Sequence, residues 1–355
     1  RGGRPRQMSQ SVFSALAAQN PPLCRSAWFL YRMRWKRRRL ILRALRRRHD
    51  ISRLRVDEAA IAAAPILAFS TVRNEIDRLP YFLNHHRALG VGHFLVVDNA
   101  STDGSDSYLA AQPDVSLWTT DASYKLARFG VDWLMCLKFR FGSGKWCLTL
   151  DADEALILPG ARGLGDLVAH LDATGRPSFG VVMLDAYPKG SVSAGNYVPG
   201  ENPFDHLCWF DADGYRARRH AVFDNLWVQG GVRDRVFFRD QPQRAPTLNK
   251  TPLVRWRRSY AYVTSTHQML PLALNHVFDT DAPTGVLLHS KFLPQIAAKS
   301  AEELQRRQHF QNGDLYETYH RALIAGPDLW HVASTRYESP AQLEQLGLMS
   351  AGDWR

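Results

Sequence analysis

The sequence predicts an α/β protein built on a doubly wound, mostly parallel sheet, and three observations carry that reading. From residue 66 onward, short apolar runs alternate with helical stretches at the spacing of βα units. Three of those runs end in clusters of polar and charged residues, Thr71–Glu75, Asp98–Ser105 and Asp151–Glu154. Ligands bind beyond the carboxyl ends of strands in such sheets, so the three clusters are expected to meet in space.

A different kind of segment precedes the sheet. The 355 residues carry a formal net charge of +11. Residues 1–55 hold 16 Arg and Lys against one acid, Asp50, whereas the remaining 300 hold 29 basic and 33 acidic residues. Residues 1–24, with Pro21-Pro22 and little periodicity, read as a loose tail. From Trp28 the chain runs WFLYRMRWKRRRLILRALRRRH, good helix formers without Gly or Pro. Arg32, Lys36, Arg39, Arg43 and Arg47 line one helical face, and Trp28, Tyr31, Trp35, Leu42 and Leu45 fall largely on another. Arg34, Arg37 and Arg38 intrude on the apolar sector. Rings at headgroup level with guanidiniums on anionic lipid describe an interfacial helix, so an anionic membrane surface is the expected partner of residues 28–48. Nucleic-acid binding and a solvated or partner-packing helix are the rival readings, nucleic acid being the less favoured.

The elements follow in order. Ile66–Ser70 reads as a buried strand leading into Thr71-Val-Arg-Asn-Glu75. A helix is expected from Ile76 to Leu89, with Asp77 and Pro80 in its first turns and Gly90 as its stop. His93–Val97 is a second buried strand, and Asp98–Ser105 is a loop of turn formers. A short helix over Asp106–Gln112, a strand over Val115–Trp118 and a helix over Tyr124–Phe141 lead to the strand that ends at Asp151. From Pro294 the pattern turns helical, and Ile296, Ala301, Leu304 and Phe310 with Glu302, Glu303, Arg306 and Arg307 suggest an amphipathic helix. Leu315–Ile324 and Pro340–Met349 suggest two further helices. These helices are expected to pack on the sheet or close over the site, and nothing in them suggests chemistry. The boundaries expected are a basic tail and helix over 1–55, a ligand-binding half over 56–190, a second half over 191–293 and a helical segment over 294–355.

Composition narrows the class. An apolar fraction of 45% marks a folded globular chain. Cys24, Cys136, Cys147 and Cys208 show no C-x-x-C pairing and no zinc-finger spacing, which fits a reducing compartment. No apolar run reaches the roughly 18–20 residues of a membrane span. Neither an apolar h-region nor a small-residue cleavage site of a secretory leader appears near the start. The expected location is therefore cytoplasmic, peripheral to the inner face of the membrane.

The most informative stretch is Trp146-Cys-Leu-Thr-Leu-Asp151-Ala-Asp153-Glu154. Carboxylates two residues apart where a strand ends can converge on one hard cation. Three acids so close repel one another unless a metal or cationic group neutralises them, so this reads as a divalent-metal and diphosphate site. Taken singly, Asp98 or Asn74 reads as a turn or cap residue; three clusters at successive strand ends argue for function. Two phosphate-loop patterns fail. Gly142-Ser-Gly-Lys145 lacks the upstream Gly and the Ser/Thr of a P-loop and precedes a strand, and Gly160–Gly165 does not fit G-x-G-x-x-G.

With Ser-Thr-Val-Arg-Asn-Glu, Val-Val-Asp-Asn-Ala-Ser-Thr-Asp-Gly-Ser and Leu-Asp-Ala-Asp-Glu in order, the chain resembles family 2 glycosyltransferases. It is most similar to the bacterial subgroup with a T-x-R-N-E motif. The resemblance covers roughly residues 64 to 190 and extends loosely to about 295. It implies a Rossmann-like, GT-A-type nucleotide-sugar fold, Mn²⁺ or Mg²⁺ as cofactor, and inversion at the anomeric centre. It also implies roles for particular residues. Thr71 and Glu75, with Arg73 between them, would lie beside the nucleoside, and Asp98 would accept from a uracil N3–H or contact the ribose. Lys125 and Arg128 would point at the nucleotide. Asp151 would contact the ribose or a metal-bound water, and Asp153 would bind the metal. His289 and Lys291, after the apolar run Gly285–Leu288, offer a further metal or phosphate contact, with a structural His289 as the alternative.

An inverting transfer also needs a carboxylate near the acceptor hydroxyl. Asp205, Asp213, Asp224 and Asp234 are available, and Asp234 is favoured because flanking Arg233 and Arg235 would keep it ionised. A structural Arg–Asp pair is the alternative there. A second Asp-x-Asp, Asp211-Ala-Asp213, is assigned to the acceptor region. The expected function is a metal-dependent glycosyltransferase moving a sugar from a nucleotide donor, a UDP-sugar for preference, to a glycan or lipid-linked acceptor. A nucleotidyltransferase on a related sheet and a non-enzymatic polyanion- or membrane-binding protein are the alternatives.

Overall fold

Nine strands join into one sheet in the computed structural model, which describes residues 11–279, 281–306 and 313–354. Chain order begins with α1 (Val12–Gln19), α2 (Ala27–Arg46), β1 (Ser52–Arg55) and α3 (Glu58–Ala63). The βα series is β2 (Ile66–Val72), α4 (Leu79–Leu89), β3 (His93–Asp98), α5 (Ser105–Ala110), β4 (Val115–Thr119), α6 (Val131–Leu137) and β5 (Trp146–Thr149). Next come β6 (Glu154–Ile157), α7 (Leu164–Ala173), β7 (Ser178–Asp185), α8 (Pro203–His206), β8 (Trp209–Phe210), β9 (Arg216–Arg219), β10 (Leu226–Gln229) and α9 (Gly231–Phe237). The remainder is β11 (Asn249–Arg255), β12 (Ala261–Thr264), β13 (Gln268–Leu270), β14 (Thr284–His289), α10 (Ile296–Arg306), α11 (Gly313–Ile324), β15 (Thr335–Arg336) and α12 (Pro340–Gln345).

The sheet order is β1-β4-β3-β2-β5-β11-β7-β14-β6. β2, β3, β4, β5, β7 and β14 point one way, and only β1, β11 and β6 oppose them, so the sheet is mostly parallel as expected. Every residue of β3 and β7 is buried, as befits central strands covered on both faces. α4 shows why local sequence and packing agree. Leu79, Phe82, Leu83 and His86 recur at helical spacing and are buried, Pro80 sits in the first turn, and Gly90 ends the helix at φ 104°. Leu83 is fully buried in the core, so truncation to Ala costs about 2–5 kcal/mol.

Two expectations change. Residues 11–24 are not a loose tail: α1 buries Phe13 and Ala17 in the main core, and Arg219 donates to the Asn20 carbonyl at 2.6 Å. Phe13 and Ala17 lie one turn apart, and Ser11 caps the helix by accepting from the Ser14 amide at 3.0 Å. The helix expected over Tyr124–Phe141 is α6 alone, followed by a π-helical turn at Lys138–Gly142. Arg128 and Phe129 hold left-handed backbone at φ 52° and 59°. Tertiary hydrogen bonds select that turn, because Arg128 donates to the carbonyls of Tyr262 and Val263 at 2.9 and 3.0 Å. Residues 1–10 of the expected tail, and the helix positions Arg307 and Phe310, lie outside the described residues.

Candidate functional site

The register of the strands assembles the site. Val72 at the end of β2 pairs with Asp98 at the end of β3, and Phe69 pairs with Thr149 on β5. At the far side, His289 closing β14 pairs with Asp185 on β7 and with Glu154 on β6. A cleft of about 320 Å³ opens over these strand ends. Thr71, Arg73, Asn74 and Glu75 line it from the end of β2 and the loop that follows, and Asp151, Asp153, His289 and Lys291 line it from the ends of β5 and β14. Ile296, Lys299, Ser300, Glu302 and Glu303 of α10 cover it.

The strand ends carry a hydrogen-bonded row. Asp153 Oδ2 lies 2.9 Å from His289 Nε2, and His289 Nδ1 lies 2.6 Å from Asp185 Oδ1. Asp185 in turn accepts from Arg233 Nε at 2.7 Å. Burial pushes the Asp153 carboxyl upward, but His289, Arg78 and Lys291 hold it well below the usual carboxylate range. Burial disfavours charge on His289, yet Asp153 and Asp185 raise its pKa above the ordinary imidazole value. Asp185 sits at about 2 despite its burial, held down by Arg233 and His289.

The acids of Asp151-Ala-Asp153-Glu154 do not face one another uncompensated. Lys250 on the reversed strand β11 is buried between Asp151, 3.0 Å away, and Glu154. Burial, with Asp151 and Asp153 nearby, raises the Glu154 carboxyl above its usual range even beside Lys250. The neutralisation expected from a metal or cationic substrate is therefore partly internal. Asp151 keeps 54% of its side chain exposed into the cleft.

Cations line the cleft as well. Arg78, only 4% exposed, donates to Glu75 at 2.9 Å, and its Nε is buried with no hydrogen-bond partner among the described residues. Lys299 lies 2.6 Å from the same Glu75. Glu302 reaches back to Arg73 at 3.5 Å and to Asn74 Nδ2 at 3.4 Å, so α10 grips the loop after β2. Burial lowers the pKa of Lys291 and of Lys299. Thr71 Oγ1 is buried at the cleft edge without a hydrogen-bond partner among the described residues.

Several residues singled out in the sequence stand elsewhere. Asp98 is outside the cleft lining, and its carboxylate accepts from the Ser101 amide at 3.1 Å and from the Ser101 hydroxyl, which staples its own loop. Asn99 takes the place at the cleft instead. Lys125 is exposed on the turn before α6, outside the lining, because the helix that was to aim it is absent. Arg128 is consumed by Asp132 and two carbonyls. Asp234 also lies outside the lining: Arg216 clamps it with two hydrogen bonds of 2.6 and 2.8 Å. Arg233 and Arg235 turn away from it, to Asp185 and Asp211. Asp211 is buried between Arg235 and Tyr187, so the second Asp-x-Asp starts in a structural network.

Arg78, Tyr124, Lys250, Lys299 and the α10 carboxylates were not singled out from the sequence. Arg78 falls inside the helix expected over Ile76–Leu89, and Glu302 and Glu303 were read as polar positions of an amphipathic helix. Among the described residues, no group of three or more His, Cys, Asp or Glu side chains is arranged to hold a metal ion.

No protein-family model matches this chain, and no curated protein does. Two solved structures align over 73% of it. One is a putative glucose-1-phosphate thymidylyltransferase from Bacillus anthracis in complex with a sucrose, 8% identical, with 84% of that chain covered and a TM-score of 0.27. The other is a UDP-glucose pyrophosphorylase from Acinetobacter baumanii, 10% identical, with 98% of that chain covered and a TM-score of 0.31. Similarity this distant transfers no role to any residue of the cleft.

Proposed function

We propose that the cleft binds a nucleotide-diphospho-sugar, a UDP-sugar for preference, and that the protein transfers its sugar to a glycan or lipid-linked acceptor with inversion. The observation that carries this reading is the Asp153–His289–Asp185 row at the strand ends, in a cleft that Arg73, Arg78, Lys291 and Lys299 also line. Acidic and cationic groups in one cleft suit a cation and a diphosphate together.

The residues fit a divalent metal taken with its substrate. Two neighbouring ligands each about 2.1 Å from an octahedral cation stand about 3 Å apart, which matches the 2.9 Å between Asp153 Oδ2 and His289 Nε2. A metal-binding histidine characteristically donates its other N–H to a carboxylate, as His289 Nδ1 does to Asp185. Asp153 and His289 would hold Mn²⁺ or Mg²⁺ as a pair once the proton between them is displaced, and diphosphate oxygens and water would complete the ligand set. Such an ion supplies neutralisation of the charge that grows on the departing diphosphate.

The chain's own groups do the rest. Arg78 and Lys291 bind and orient the diphosphate, and the unpaired Arg78 Nε is a donor held ready for it. Thr71 and Asn99 lie where the nucleoside would enter, with Tyr124 as an apolar wall. Glu303 on α10, which lines the same cleft, replaces Asp234 as the carboxylate offered to deprotonate the acceptor hydroxyl. α10 excludes water from the reacting centre.

A nucleotidyltransferase on a related sheet remains the second reading. It would need a basic, Gly-rich loop after β2 for a triphosphate, whereas Thr71-Val-Arg-Asn-Glu75 has no glycine and carries an acid. Calorimetric titration of UDP, GDP, CDP and ADP with and without Mn²⁺ tests the proposal. Metal-dependent binding of one diphosphate is expected, and the reading fails if none binds that way.

A further inference from the structure

We propose that the outward face of α2 docks this protein on an anionic lipid bilayer. One stripe of the helix is already used: Phe29, Met33 and Leu40 pack on Phe223, Leu270 and Leu272, and Ala44 is fully buried. A surface helix packed in this way is ordinarily polar on its other side. Here that side carries Trp28, Tyr31, Trp35 and Leu42, which are 67%, 47%, 46% and 53% exposed. At 3.6 residues per turn these four fall within about 60° of one another, opposite the buried stripe. The rings of this exposed strip pack on one another. Trp28 and Tyr31 stack at 5.6 Å between ring centroids, and Trp35 meets Tyr31 edge-on at 6.2 Å.

Charge selects the occupant. The helix has eight Arg and Lys and no acid, and Arg32 and Arg39 flank the strip on one side, Arg34 and Arg38 on the other. A second copy of the chain would set these cations against an identical set. A nucleic acid would engage the cations but leave the Trp and Leu strip without a function. A bilayer satisfies both, with rings and alkyl groups at the acyl boundary and guanidiniums among anionic headgroups. At the C-terminal end of the same helix an apolar groove of about 640 Å³ opens between Ile41, Leu45, Trp118 and Phe139, with Arg48 and Arg258 on its rim. That volume lies in the ordinary range for small-molecule pockets, and the groove extends the lipid-facing surface to one acyl chain and its phosphate. Among the described residues no helix is long and apolar enough to cross a membrane, so attachment by this face is at the surface.

Co-sedimentation of the full chain with phosphatidylcholine vesicles, and with mixed phosphatidylcholine–phosphatidylglycerol vesicles, tests the proposal. Binding to the mixed vesicles alone is expected, weakening as salt is raised. Trp28→Ser with Trp35→Ser, and separately Arg38→Glu with Arg39→Glu, should each lower partitioning about tenfold or more at an unchanged melting temperature. Brominated lipid in the mixed vesicles should also quench tryptophan fluorescence of the unaltered protein, a readout that needs no variant. Equal partitioning onto neutral vesicles, unaltered partitioning of both double variants, absent quenching, or tighter retention on duplex nucleic acid at the same salt would each overturn it. The proposal does not depend on the chemistry of the cleft, and its failure leaves that reading standing.

Discussion

His289 Nε2 stands 2.9 Å from Asp153 Oδ2, and the other nitrogen of the ring lies 2.6 Å from Asp185. Asp185 thereby fixes which nitrogen of His289 faces Asp153. Removing Asp153 takes away the charge that makes the pair attractive to a cation; removing Asp185 only loosens the ring. Asp153→Asn is therefore expected to weaken Mn²⁺-dependent UDP binding by more than about 100-fold, and Asp185→Asn by about 10–100-fold. Calorimetry with and without Mn²⁺ checks both, and an equal loss in both conditions would show that the row is structural.

The clamp of Arg216 on Asp234 separates two assignments of the catalytic base. Asp234→Asn should leave transfer within about threefold of the parent and lower stability by no more than about 1 kcal/mol, since the Arg216 that loses a charged partner is 42% exposed. Glu303→Gln should lower kcat by about 100-fold or more. The reverse pattern in a transfer assay would restore Asp234 to the role and remove Glu303.

How far the site was legible depended on how local its signals are. Thr71–Glu75 and Asp151–Glu154 stand directly after apolar strand residues, so their arrival at one edge followed from strand periodicity alone. Lys250 could not be found that way, because it belongs to a strand inserted in reverse between β5 and β7, and no local pattern announces such a pairing. Lys299 and Glu302 were hidden for a related reason. On a helix of unknown partner a charged face reads as solvated, and only the docking of α10 on the loop after β2 turns it inward. Asp98 shows a contact that type and position alone do not announce. Its residue type and position suited a ligand, but Ser101 lies three residues on and takes the carboxylate into a turn.

Gly130 presses on the cleft from behind. A Cβ there would stand 2.6 Å from Thr71 Oγ1, and the backbone lies at φ 75°, where a side chain is strained. Gly130→Ala should cost about 1–2 kcal/mol of stability from the backbone alone. It should also displace Thr71 and weaken UDP binding about tenfold. Adding Thr71→Ala should recover part of the stability and none of the affinity. A melting temperature unchanged by Gly130→Ala would refute the packing argument.

Acid should unfold this protein through its neutral buried histidines. Burial, with Lys250 nearby, lowers His267 to about 3, and its Nδ1 lies 2.6 Å from the Asn249 carbonyl. Burial likewise lowers His85, and it holds His86 well below the ordinary value. In each case the folded pKa is below the unfolded one, so between the two the unfolded chain binds more protons. Stability is thus fully present above about pH 6.5 and falls as pH drops toward the folded values, by up to about 1.4 kcal/mol per pH unit for each histidine. For His267 the loss runs from about 6.5 down to about 3. Urea midpoints measured from pH 7 to pH 4 should decline along that course. His267→Gln, which cannot take up a proton, should flatten the decline by up to one histidine's share even if it lowers stability at pH 7. A variant whose midpoint falls with pH as steeply as the parent's would exclude His267 as a source of the acid sensitivity.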